Sequence, residues 1–184
     1  MHNSGLSVAF STLIRMYSTR DDGAGNANAT ALAFLRIAVG LFFLVFGQYK
    51  VFSTAFTLHG GFEENVNAML HGGSTFPFMV PVVENVILAH PHIIAFMVAY
   101  GELLIGLSLI FGVLSRLASV FGLILMILMW LCGGYPGPHA ALWRYWGVSL
   151  DWSIFALCFI ALIIGQPEER WSFGQLEFFR KRKM

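Results

Sequence analysis

Charge is what this sequence has least of. Only 11% of its 184 residues are Asp, Glu, Lys or Arg, while 57% are hydrophobic. A soluble domain carries about 25% charged and roughly 45–50% apolar residues. A chain with half that charge cannot cover a water-facing surface, so a lone soluble enzyme domain is excluded. Disorder is excluded on the same ground, because disordered segments are poor in apolar residues. Cysteine is scarce as well. The two cysteines, Cys132 and Cys158, form no CxxC pair, which argues against a disulfide framework and a thiol-redox motif. They read as small apolar fillers in lipid-embedded helices. Basic residues are missing from positions 51–115, and the one basic run, residues 180–183, stands beside apolar residues. That pattern leaves no nucleic-acid footprint. What is present, 18 Phe, 19 Gly and 8 Met with a mean hydropathy of +0.71, reads as an integral membrane protein of one domain.

Crossing a bilayer core of about 30 Å takes roughly 20 helical residues. Four runs qualify: residues 31–52, 92–114, 116–133 and 148–165. The first is opened by Asn28 and Thr30 as caps, and Pro167 follows the last. Barrel strands would alternate in hydrophobicity over about 10 residues; these runs do not. The expected fold is an all-α, antiparallel four-helix transmembrane bundle over residues 29–166, with a basic cytoplasmic tail at 167–184. Residues 1–28 hold Arg15, Arg20, Asp21 and Asp22 but no apolar core ahead of a small-residue cleavage site, so they do not read as a secretory leader. Leu6, Phe10, Leu13, Ile14 and Tyr17 share one helical face, which predicts a short helix on the cytoplasmic membrane surface. Residues 21–28 (DDGAGNAN) are then a flexible link.

The connection 53–91 is expected to form an outer cap. Phe62, Val66, Met69 and Leu70 make one face of a short amphipathic helix, stopped by Gly72 and Gly73. Residues 76–90, with Pro77, Pro81 and Glu84, are too short to span and read as a re-entrant or interfacial helix. Lys and Arg collect on cytoplasmic sides. Arg15, Arg20, Arg116, Arg170 and the 180–183 run all fall on the side shared by both termini. This places both termini on the cytoplasmic side of the membrane and the loops 53–91 and 134–147 outside. Trp130, Tyr135, Trp143, Tyr145, Trp146 and Trp152 are expected in the outer aromatic belt, and Trp171 at the inner boundary.

Several residues do not belong in lipid. Arg36, Gly40, Phe43, Gly47 and Lys50 fall within roughly 80° of arc on the first span. Glycines on that stripe favour close helix approach, so its cations either pack inward or snorkel to the headgroups. Glu102 lies near the middle of the second span, where a charge costs at least about 2.5–3.5 kcal/mol. It is a structural ion pair, a ligand or proton site, or a protonated group bonded to backbone, with Arg36 the expected partner. Gly101, Gly106, Ser108 and Gly112 form a small-residue face for helix packing. Lys50, Arg144 and Asp151 are expected at similar depth as an outer cluster. His90, His92 and His139 are weak metal candidates, since no ligand spacing is diagnostic and interfacial histidine is the default reading; no metal is assigned.

Residues 35–50 (LRIAVGLFFLVFGQYK) resemble the first helix of DoxX-like membrane proteins, an Arg followed by Gly and Phe and then by Gly and Lys. Gly101 and Glu102, followed by Gly106, Leu109, Gly112 and Arg116, resemble the second-helix signature. Gly165, Gln166 and Pro167, with Arg170, Trp171 and Ser172, resemble the family's ending. The resemblance implies a four-helix bacterial membrane protein, often associated with redox partners, in a group that includes the DoxD subunit of thiosulfate:quinone oxidoreductase. It implies that Arg36, Lys50, Glu102 and Arg116 are the family's polar positions. The outer insertion departs from the family pattern and suits a chain docking onto a partner. The sequence holds no haem-ligand, flavin, nucleotide or iron–sulfur motif, so no cofactor is evident and catalysis by the chain alone is not expected. Two functions follow: an accessory or anchoring subunit of a redox-related complex of membrane proteins, or a quinone-interacting subunit with a polar pocket opening to lipid near Glu102.

Overall fold

The structure, a computed structural model, describes the backbone of residues 4–165 and the side chains of residues 27–165. The described residues are helical wherever they are regular. Helix α1 (Ser4–Phe52) is continuous, and its segment Ala27–Phe52 is long and apolar enough to cross a membrane. The expected flexible link at residues 21–28 is therefore helical. It contains no proline, and its two glycines each cost a helix only about 1 kcal/mol, too little to end it. Asn28 and Thr30 accordingly lie inside the helix and do not cap it. The surface position expected for the first residues and the tail at 167–184 lie outside the described side chains.

After α1 come α2 (Thr54–Thr57) and α3 (Gly61–His71). Helix α3 buries Phe62 and Val66 and ends at Gly72 and Gly73, the latter with φ +68°. Helix α4 (Val80–Val82) has proline in its first turn and runs into a π-helical turn, Val83–Ile87. Helix α5 (Pro91–Phe111) stops three residues short of the expected end, because Gly112 adopts φ +69° and its N–H returns to the Ser108 carbonyl. Helix α6 (Ser115–Gly133) follows, then α7 (Leu142–Gly147) and α8 (Leu150–Gly165).

Three described helices, in α1, α5 and α6, have the length and composition of a membrane span, while α8 is a shorter apolar helix. Its 16 described residues rise about 24 Å. Helix α1 packs against α5 and α8, and α6 against the same two. Their shared core comprises Val39, Phe43, Ile105, Leu109, Ala118, Met126, Phe159 and Leu162. The Phe43 ring meets Phe159 edge-on at 5.1 Å, and Gly122 leaves the space that the Phe159 ring fills.

A second cluster, Phe62, Val66, Val83 and Ala95, seats α3 and the π-helical turn on α5. The loop before α4 is pinned to the end of α6. Thr75 Oγ1 donates to the Cys132 carbonyl at 2.7 Å, Phe76 N to Leu131 at 3.1 Å, and Tyr135 N to Ser74 at 2.8 Å. The Phe76 ring lies 4.8 Å from Trp130 and 5.1 Å from Tyr135. The expected aromatic belt thus divides. Trp130, Tyr135 and Tyr145 gather around Phe76, Trp152 packs against the helix core, and Trp143 and Trp146 remain exposed.

Candidate functional site: a buried lysine–glutamate pair

The site begins with glycine. A Cβ at Gly47 would stand 2.5 Å from the Leu103 nitrogen, and one at Gly106 would stand 2.5 Å from the Leu44 nitrogen. One at Gly40 would lie 3.1 Å from the Gly106 carbonyl oxygen. Only hydrogen fits at the first two, so the backbones of α1 and α5 touch there. This contact sets the register of the two helices. Lys50, one turn beyond Gly47 on the same stripe, reaches Glu102, which neighbours Leu103.

The Lys50 Nζ lies 2.6 Å from Glu102 Oε1. Glu102 is only 5% exposed, and the Lys50 side chain is 20% exposed. Nζ also stands 5.1 Å from the centre of the Phe56 ring, an attraction between a cation and an aromatic face. Phe56 comes from α2 and packs edge-on against Phe62 of α3, 5.7 Å between centres. The first turns of the cap therefore roof the pair. Glu102 Oε2 is buried and has no hydrogen-bond partner among the described residues. Chemically, the arrangement is a charge-neutral pair with one unused acceptor. It can hold two helices together, and it can accept a hydrogen bond or a proton at Oε2.

Beside the roof lies a shallow surface dent, with no enclosed space for a water molecule, lined by Phe56, Thr57, Phe62, Glu63, His92 and Ala95. His92 Nδ1 stands 3.2 Å from the Thr57 carbonyl oxygen. Among the described residues no three His, Cys, Asp or Glu side chains converge as metal ligands, so His90, His92 and His139 are not brought together.

The expected partner of Glu102, Arg36, is not the one it meets. Gly47 opposite Leu103 leaves Arg36 three helical turns away, about 16 Å along α1. Arg36 is fully buried and engaged elsewhere. The outer cluster of Lys50, Arg144 and Asp151 does not form either. Lys50 faces α5, while Arg144 and Asp151 are exposed on α7 and α8. Arg116 is exposed at the start of α6 and has a partner of its own.

The small-residue face of α5 is also divided. Gly106 makes the close approach, but nothing lies within 4 Å of where a Gly101 Cβ would be. Ser108 and Gly112 close the end of the helix instead, Ser108 Oγ donating to the Val113 carbonyl. Sequence reasoning missed Phe56. Its signal was an aromatic residue a few positions beyond a lysine that ends a span.

A model of the DoxX family matches residues 31–133, more than half of the chain, and both Lys50 and Glu102 lie inside the match. No curated protein and no solved structure matches the chain.

Proposed function

This chain belongs to the DoxX family, and from that premise we propose that it is an accessory or anchoring subunit of a larger, redox-related complex in the bacterial inner membrane. In this reading α1, α5, α6 and α8 are four antiparallel spans, with both termini cytoplasmic and the 53–91 cap outside. The segregation of Lys and Arg supports that orientation. The turn of Gly112, Val113 and Leu114 between α5 and α6 supports antiparallel neighbours. The described part of α8 rises about 24 Å, and a mismatch of a few ångströms is absorbed by bilayer thinning at modest cost.

The observation that carries the reading is the closure of the Lys50–Glu102 pair. The group best suited to ligand or proton chemistry is buried, neutralised at 2.6 Å and roofed by Phe56. Its evident work is to join α1 to α5. The test is purification of the intact chain in mild detergent. A membrane partner should co-purify in fixed ratio, and Glu102→Gln and Lys50→Met should lower partner-dependent turnover only as far as they lower assembly.

A second reading, a quinone-interacting subunit of a thiosulfate:quinone oxidoreductase-like enzyme, draws on the unpartnered Glu102 Oε2, an acceptor suited to a quinol hydroxyl. It expects a quinone to co-purify, and turnover to fall in Glu102→Gln while the complex stays assembled. That outcome would overturn the accessory reading.

A further inference from the structure

Helix α7 buries none of its six residues. It is held from one side. The Tyr145 ring meets Phe76 and Tyr135, and its hydroxyl donates to the Gly137 carbonyl at 3.1 Å. Trp130 Nε1 donates to the Tyr145 carbonyl at 2.8 Å. With Tyr145 turned inward, Leu142, Trp143 and Arg144 project outward, while the Trp146 ring stacks on Trp130, 6.3 Å between centres, and leaves its remaining surface open. Leu142 is 85% exposed, Trp143 71% and Trp146 67%. Arg144 is exposed as well, and its side chain makes no ion pair among the described residues.

We propose that α7 is seated in the headgroup layer of the bilayer and binds an acidic phospholipid. The Arg144 guanidinium takes the phosphate, and Trp143 and Trp146 lie at the boundary with the acyl chains. Four features select a lipid as the occupant. In the chain the helix lies between α6, long and apolar enough to cross a membrane, and the shorter apolar helix α8. The exposed apolar surface continues from α7 through Leu150, Ile154 and Leu157 of α8. Indole rings combine an apolar body with one N–H, the match for a level that is wet on one side and oily on the other. A guanidinium presents paired N–H groups that suit a phosphate. A protein occupant would have to supply a carboxylate for Arg144, whereas the headgroup layer meets it with phosphate at every position. The inference goes beyond the proposed function and does not depend on the identity of a redox partner.

The test uses the intact chain in vesicles of phosphatidylcholine, alone or mixed with phosphatidylglycerol, with bromine on the acyl chains near the headgroup. Trp143→Phe and Trp146→Phe should each reduce the part of the fluorescence that bromine quenches. Arg144→Gln should lower the preference for phosphatidylglycerol about fivefold, the effect of one basic residue at an anionic surface, and Arg144→Lys should keep most of it. Trp143 and Arg144 are exposed, and Trp146→Phe keeps an aromatic ring against Trp130; circular dichroism checks that the variants retain the fold. Quenching unchanged in both tryptophan variants, or a lipid preference unchanged in Arg144→Gln, would overturn the proposal. So would quenching that appears only after a bound protein is stripped away, since the face would then be a protein interface.

Discussion

A carboxylate at membrane depth costs at least about 2.5–3.5 kcal/mol, and Glu102 offsets that cost at Lys50, 2.6 Å away. Removing one partner leaves the other charge uncompensated, which for buried pairs costs about 3–5 kcal/mol. Glu102→Gln and Lys50→Met should each destabilise the detergent-solubilised chain by that order. Lys50→Met combined with Glu102→Gln should cost much less than the sum, as measured by thermal or denaturant unfolding. Arg36→Gln should instead add to Glu102→Gln within about 0.5 kcal/mol, because sites this far apart do not couple. Equal coupling of Glu102 to both cations would contradict the geometry. That Glu102 needs an answer inside the protein was legible in the sequence, because a short carboxylate in an apolar run is expensive wherever the run folds. Its partner was not. Depth counted from helix ends put Arg36 within reach, and only the contact at Gly47 shows that Lys50 is nearer.

At the scale of elements, the α1–α5 contact rests on two glycines and excludes a third. Gly47→Ala would drive a methyl to 2.5 Å from backbone, so the helices must part, at about 1–3 kcal/mol for overpacking. Gly101→Ala meets nothing within 4 Å and should be neutral, or stabilising by up to about 1 kcal/mol through helix propensity. Unfolding curves of the two variants side by side check this; equal losses would refute it. The cap makes a separate prediction. Thr75→Val removes the hydrogen bond to the Cys132 carbonyl and leaves that acceptor unmet by its side-chain partner, at about 1–3 kcal/mol. Hydrogen exchange should rise across residues 72–79 while α5 and α6 keep their protection. The pattern of Phe62 and Val66 announced α3 in the sequence. The pinning of residues 74–76 to the end of α6 did not show, because it runs through backbone groups and a single aromatic contact.

For the whole molecule, the proposed orientation is testable by labelling intact cells. Ser74→Cys should react with an impermeant maleimide from outside, and Ser172→Cys only after permeabilisation; the reverse pattern would invert the topology. The sequence by itself determined that this is an all-helical membrane chain, where its apolar runs lie, that Glu102 must be answered internally, and its family. Those properties add up along the chain: hydropathy over some twenty residues, the cost of one charge, a stop at one glycine. Tertiary structure alone decided that Lys50 answers Glu102, that Phe56 roofs the pair, that Gly47 and Gly106 pack while Gly101 does not, and that Trp130 turns inward with Trp146 stacked on it while Trp143 faces out. Each of these depends on how far one helix slides against another. That slide is set where two backbones can touch, a distance between residues far apart in the chain that no local pattern encodes.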